Sequence, residues 1–433
     1  MKVAIVGYGI DGKSALVYWQ KRGADITVCD QNVDADIPPG IQTQLGDHYL
    51  HDMQRFDVIM RSSGIHPNII LKENPDVAAK ITSVVNEFLR VCPTKHTIGV
   101  TGTKGKGTTS TLIAKILETA GKKVFIGGNI GISPFDFLDG VTPDSWVILE
   151  LSSYQLFDLQ HSTHIAICLM IAAEHLNWHG DLEGYIAAKT RLFSHQTSRD
   201  IAIYYANSRL SHEIASASPG DKIAYYDEPG AYIFEDKIMV DQTILCRTNE
   251  LQLLGKHNWQ NVCAAVTAAW QVVQMPDAIR EVLIHFTGLP HRLELVREID
   301  GVRYYNDSYS SGPHSTIAAL QAVPGKKVVI LGGFDRMLPL DHLVATLTEH
   351  EKDIRMAIII GASSKRLGSE LKAADFKHIH MSPAKNMTEI VTDARSFAKS
   401  GDAILLSPGF ASFDMFKNFE ERGLQFKEVV HSL

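Results

Sequence analysis

Short apolar runs that end in glycine-bearing turns alternate along this chain with stretches of helical periodicity. Continuous apolar runs of four to eight residues are the pattern of strands buried on both faces, as in parallel sheets. Such runs occur at 3–6, 25–29, 56–60, 123–126, 146–153, 164–171, 326–331, 356–360 and 402–406. Helical patterns follow the first turn through Arg22, then cover 77–90, 108–120 with Gly121 as a C-terminal cap, 185–193 and 262–273. Residues 198–250 read as strand-rich and carry no chemical signal. Strands alternating with helices predict an α/β protein with doubly wound sheets.

One stretch adds chemistry to this pattern. Residues 97–109 read Thr-Ile-Gly-Val-Thr-Gly-Thr-Lys-Gly-Lys-Gly-Thr-Thr, an apolar strand running into a loop of glycines and lysines and then a helix. In that context backbone N–H groups and a helix N-terminus wrap a phosphate chain. Gly102, Thr103, Lys104, Gly105, Lys106, Gly107 and Thr108 are therefore the expected ATP loop. Lys106 would reach the β/γ-phosphates, and the Thr108 hydroxyl a magnesium ion. Gly107 separates the lysine from the threonine, so only Thr108 can supply that hydroxyl. Three domains are expected: 1–93, N-terminal and Rossmann-like; 94–296, a central P-loop-type ATPase sheet; 297–433, C-terminal and Rossmann-like.

Composition narrows the class. The 433 residues are 45% hydrophobic and 21% charged with net charge −7, which predicts a globular protein without a dedicated nucleic-acid surface. Five cysteines stand without metal-ligand or disulfide spacing, as expected for a reducing cytoplasm. The opening residues read as a first strand, not a signal peptide, and no apolar run approaches the ~18 residues of a membrane span, so no membrane insertion is expected.

Two further patterns carry chemistry. Gly7-Tyr8-Gly9-Ile10-Asp11-Gly12 after the first strand, with Asp30 ending the second, is a dinucleotide-binding fingerprint. Alone it would indicate an NAD-linked oxidoreductase. Lys13 and Ser14 opening the helix, and a separate phosphate loop downstream, weaken that reading. Glu150 ends a buried strand, where an acid opposite a phosphate loop holds magnesium, and His175 stands at another strand end as a candidate metal ligand.

These motifs occur in a recognisable order. Gly-Thr-Lys-Gly-Lys at 102–106, Gly-Gly-Asn-Ile-Gly at 127–131, Leu-Glu-Leu-Ser-Ser-Tyr-Gln-Leu at 149–156 and Tyr-Ile-Ala-Ala-Lys-Thr-Arg-Leu at 185–192 resemble the Mur ligases. So do Gly-Lys-His-Asn-Trp-Gln-Asn at 255–261, Leu-Pro-His-Arg-Leu-Glu at 289–294 and Asn-Asp-Ser at 306–308. The resemblance covers essentially the whole chain. It implies two magnesium ions, one on Thr108 and Glu150, the second on His175 and a carbamylated Lys189. It places Asn258, Asn261 and Arg292 on the nucleotide, Asp307 on its ribose, and Ser311, Arg336, Ser412 and Phe419 around the incoming amino acid. Gly9, Ile10, Asp11, Asp30, Gly64 and Asn129 would contact the UDP substrate.

The resemblance further implies a monomeric cytoplasmic enzyme that activates the carboxylate of UDP-N-acetylmuramoyl-L-alanine with ATP and joins it to D-glutamate. Lys106, Glu150, His175 and Lys189 are its expected catalytic groups. Some positions depart from the family's usual residues: Gly107 after the lysine, Met170 for asparagine, Glu174 for aspartate, and Tyr309 where lysine is usual. The last leaves a second amino acid, L-glutamate, as an alternative to D-glutamate.

Overall fold

The computed structural model describes residues 1–433 and divides into two compact units, 1–250 with 259–284, and 251–258 with 285–433. The first unit contains two parallel sheets. One has five strands in the order Gln42–Leu45, Asp25–Asp30, Lys2–Val6, Val58–Arg61, Ile81–Ser83. That order is the doubly wound one, with its switch point beside the first strand and therefore beside the glycine turn at 7–12. The second has six strands in the order Asp221–Tyr225, Ile201–Tyr205, Ile165–Cys168, Thr97–Thr101, Trp146–Glu150, Val124–Gly128. The phosphate-loop strand thus sits near the middle with all five residues buried, the two threonines at its ends included.

The two sheets share one hydrophobic core that includes Tyr18, Phe88, Phe135, Leu149 and Tyr185. Tyr18 stacks on Phe135 at 3.9 Å, and Arg61, fully buried, forms a bidentate pair with Asp158 at 2.6 Å. An arginine buried without such a partner would be costly, so this pair fixes one sheet against the other. A small antiparallel sheet, Tyr232–Phe234, Lys237–Val240 and Thr243–Arg247, completes the unit and accounts for the strand-rich stretch.

The second unit is a six-stranded sheet in the order Glu294–Ile299, Val302–Asn306, Ala403–Leu406, Lys327–Gly332, Ile354–Ile360, Ile379–Met381, parallel except for its first pair. Its glycine loops at 332–336, 361–363 and 407–411 are bonded to one another: Gly332 N–H donates to the Pro408 carbonyl, Phe334 N–H to Ala411, and Ser363 N–H to Gly333.

Two expectations need correction. The single helix at 77–90 is instead a short 3₁₀ turn, Pro75–Lys80, a strand, Ile81–Ser83, and a helix, Val84–Val91. β-Branched Ile81 and Thr82 pair with the sheet, and Ser83 then caps the helix by accepting from the Asn86 N–H at 3.3 Å. The phosphate-loop helix begins at Lys106, before Thr108, with Gly105 as its N-cap.

Candidate active site

The loop at 102–108 is shaped by two glycines that no other residue could replace without displacing a neighbour. Gly102 has φ +150°, and a Cβ there would lie 2.6 Å from the Leu169 Cβ. Gly105 has φ +89°, and its Cβ would lie 2.1 Å from the Asn261 Oδ1. Glycine therefore lets the strand turn sharply and lets Asn261 approach the loop backbone. The loop is tied down on its other side: Thr103 N–H donates to the Met170 carbonyl at 2.9 Å, and the Thr103 hydroxyl donates to the Ala172 carbonyl at 2.9 Å. Lys106, opening the helix, curls back so that its ammonium donates to the Gly102 and Thr103 carbonyls at 3.0 and 3.1 Å.

Lys189, on the helix Leu182–Ser194, reaches the same loop from below. It is 1% exposed, and its Nζ donates to the Thr101 hydroxyl at 3.2 Å and the Gly102 carbonyl at 3.1 Å. Burial, reinforced by the charge of Lys106, pushes its pKa down to about 7. Lys189 is therefore a buried lysine without an ion-pair carboxylate and with a depressed pKa, not a solvated helix residue. His175 lies beside this group in left-handed backbone, φ 58°, at the N-terminus of Leu176–His179. Its pKa is lowered, first by desolvation, which leaves a neutral ring able to coordinate metal.

Glu150 ends its strand in register with Val100, one residue from Thr101. It is 6% exposed, accepts from the Asn129 amide at 2.7 Å, and forms no ion pair with any lysine, arginine or histidine among the described residues. A buried carboxylate in that state lacks a cation. The unmodified side chains do not assemble three His, Cys, Asp or Glu donors by themselves. The Thr108 hydroxyl with the Glu150 carboxylate, and His175 with a carboxylate added to Lys189, are donor pairs whose chemistry suits two magnesium ions. Thr109 and Ser110, one turn into the helix, have buried hydroxyls without partners.

The other expected residues fall into two groups. Gly9, Ile10 and Asp11 open the first helix, with Ile10 exposed. Asp30 accepts from the Tyr8 N–H at 2.6 Å and the Asn32 N–H at 2.8 Å, so its carboxylate braces the glycine turn. The Gly64 carbonyl accepts from the Trp178 indole at 3.3 Å, and Asn129 is engaged with Glu150. Asn258, Arg292, Asp307, Ser311, Arg336, Ser412 and Phe419 belong to the second unit. There Ser311 and Arg336 line one crevice with Asp335 and Phe410, and Arg336 donates to the Ser311 carbonyl. Ser412 and Phe419 lie outside that lining. Asp307 faces inward, accepting from the Ser310 and Ser407 hydroxyls at 2.5 and 2.7 Å.

Three residues to which the sequence reading gave no role in the site bear on it. Tyr185 bonds the Thr103 hydroxyl at 3.0 Å and lies under the Lys189 ammonium, 4.7 Å from ring centroid to Nζ. Its spacing of four from Lys189 on one helix was the available signal. Glu174 pairs with Lys104 at 2.8 Å and with His175 at 3.7 Å. Trp178 packs on His66 and Tyr154 at 4.4 and 4.8 Å, a cluster that no short-range pattern indicates.

A phosphate loop on a parallel sheet, with a buried carboxylate, a neutral histidine and a desolvated lysine at its edge, defines an ATP-dependent ligase that forms amide bonds. The chain belongs to the Mur ligase family: its residues 100–269 match the Mur ligase middle domain, and 291–410 the glutamate ligase domain of the same family. It is 35% identical over 453 aligned positions to the UDP-N-acetylmuramoylalanine--D-glutamate ligase of Clostridium kluyveri, covering 100% of this chain and 97% of that one. With the ligase of the same name from Acetivibrio thermocellus the identity is 34%, over 100% and 96%. Among solved structures, the UDP-N-acetylmuramate-alanine ligase of Thermotoga maritima superposes with a TM-score of 0.63 at 17% identity, over 100% of this chain and 99% of that one. The MurF ligase of Thermotoga maritima, in complex with ADP, gives 0.60 at 17%, over 99% and 94%. At such identities these two establish the shared fold.

Proposed function

We propose that this protein joins D-glutamate to UDP-N-acetylmuramoyl-L-alanine at the expense of ATP, in the cytoplasm, as a step of peptidoglycan precursor synthesis. The observation that carries the chemistry is the convergence of Lys106 and the buried Lys189 on the Gly102 carbonyl. The amino acid rests on the full-length likeness to ligases named for D-glutamate.

A carboxylate oxygen of the acceptor attacks the γ-phosphorus of ATP, the bond to ADP breaks, and an acyl phosphate forms. The amine of glutamate then adds to the acyl carbon, loses a proton, and the tetrahedral intermediate expels phosphate. Lys106 turns from its two loop carbonyls to the transferring phosphoryl group and offsets its charge. Two magnesium ions, one held by Thr108 and Glu150 and the other by His175 and carbamylated Lys189, would supply further charge neutralisation between two anionic reactants. Lys189 as a neutral amine attacks carbon dioxide, gives up a proton and becomes the carboxylate this role needs. Desolvation favours that amine form at neutral pH.

Gly102 to Thr108 with Asn258, Asn261, Arg292 and Asp307 would hold ATP, and Gly9, Ile10, Asp11, Asp30, Gly64 and Asn129 the UDP substrate. Ser311, Arg336, Ser412 and Phe419 would hold glutamate, with the Arg336 guanidinium on one carboxylate. A monomer organised in three domains, divided near 93 and 296, accommodates these roles. Incubation of the protein with UDP-N-acetylmuramoyl-L-alanine, ATP and either glutamate enantiomer tests the reading. D-Glutamate should yield a product heavier by one glutamyl residue with one ADP released; product formed only from L-glutamate would refute the assignment.

A further inference from the structure

Arg292 is held in an unusual way. The residues on either side of it, His291 and Leu293, both adopt left-handed backbone, with φ 61° and 47°. Neither is glycine, so each conformation is costly and persists only where its surroundings enforce it. Those surroundings are on view. The His291 N–H donates to Glu294 at 2.9 Å, its ring bonds the Asn306 amide at 2.9 Å, and its carbonyl accepts from the Tyr309 N–H at 2.9 Å. The Leu293 N–H donates to Asp307 at 3.1 Å. The segment is thus clamped, residue by residue, to the loop at 306–309.

The side chain is supported as well as the backbone. The Arg292 guanidinium carbon lies 4.4 Å from the centroid of the Tyr309 ring. The Tyr309 ring is in turn met edge-to-face by Phe419 at 5.2 Å and 88°. Arg292 forms no ion pair among the described residues. With its central carbon over a ring and no ion pair on its nitrogens, the guanidinium keeps N–H groups for the bidentate binding of phosphate oxygens.

We propose that Tyr309 is a positioning residue for the nucleotide: its ring holds the Arg292 guanidinium flat, with the fork presented to a phosphate group of ATP. The inference rests on the reading of Arg292 as a nucleotide contact and assigns Tyr309 to that side of the reaction. A lysine at 309 would place an ammonium against Arg292 and repel it. Tyrosine in that position therefore changes how the arginine is supported, and leaves the choice of amino acid to the crevice of Ser311 and Arg336.

The test uses the full chain, with ADP affinity measured by calorimetry and Michaelis constants measured for ATP and D-glutamate. Tyr309 is 49% exposed, so its substitution leaves the core intact. Tyr309→Ala and Tyr309→Lys should each weaken ADP binding by about two- to fivefold, the strength of a cation–π contact at an exposed site. The KM for ATP should rise in step, with the KM for D-glutamate unchanged, and Tyr309→Phe should restore ADP affinity. In an Arg292→Ala background, Tyr309→Ala should have no further effect on ADP. Unchanged ADP affinity in Tyr309→Ala, or a rise confined to the KM for D-glutamate, would overturn the assignment. ADP binding is read without any amino acid, so a wrong identity for the amino acid would leave this result standing.

Discussion

Lys106 and Lys189 donate to one and the same oxygen, the Gly102 carbonyl, at 3.0 and 3.1 Å. Burial, with the nearby charge of Lys106 adding to it, pushes Lys189 down to about 7. The relationship links the phosphate loop to the helix behind it. Lys106 stands at the mouth of the loop, and Lys189 stands buried beneath it with a lowered pKa.

Lys106→Ala should leave the fold unchanged and lower kcat by about 10²- to 10³-fold, the cost of removing one preorganised donor to a developing charge. Steady-state release of phosphate, measured with both substrates present, checks this. Activity within a few-fold of the unmodified chain would remove Lys106 from the mechanism.

Lys189→Ala should lose activity on a scale of about 100-fold or more, as its proposed role as a carbamylated metal ligand requires. Short carboxylic acids such as acetate should restore part of it by occupying the space vacated by the lysine. Failure of every small acid to restore turnover would argue against carbamylation.

Gly105→Ala forces a Cβ to 2.1 Å from the Asn261 Oδ1 while φ is +89°. The expected cost is about 1–3 kcal/mol of backbone strain with displacement of Asn261, and so weaker ATP binding. Calorimetric titration with ADP and a thermal melt measure both effects.

Asp307 supplies a pH prediction. Burial raises its pKa from 3.8 to about 6, against the lowering effect of the Ser310 and Ser407 hydroxyls. Between these two values the folded chain retains a proton that the unfolded chain has lost. Stability from this group is therefore present below about pH 4, falls as pH rises, and is lost above pH 6, by up to about 3 kcal/mol. Asp307→Asn should flatten that part of the curve. Denaturant unfolding of both chains between pH 4 and 7 measures the difference, and parallel curves would contradict it.

Much of this structure was legible in the sequence because its strands are buried on both faces and spelled as unbroken apolar runs. The glycine turns at 7–12 and 102–107 then marked where those strands end, and the phosphate loop followed. Glu150 was legible for the same reason, a lone charge at the end of an apolar run. Lys189 was not. Nothing in the spelling of its helix distinguishes a lysine facing solvent from one buried under a loop 87 residues earlier in the chain; only the likeness to a family pointed to it. The helix expected at 77–90 failed because periodicity cannot register a three-residue strand that exists only by pairing with Val58–Arg61. The pairing of Arg61 with Asp158 and the cluster around Trp178 depend wholly on tertiary contacts.

The central claim is that the acceptor carboxylate is activated as an acyl phosphate at the loop of Lys106. UDP-N-acetylmuramoyl-L-alanine labelled with ¹⁸O in its free carboxylate tests it directly. The oxygen that attacks phosphorus leaves with it, so the phosphate released on D-glutamate addition should carry one ¹⁸O per molecule, seen as an isotope-shifted ³¹P resonance. Phosphate free of ¹⁸O, formed while D-glutamate is being added, would contradict the account.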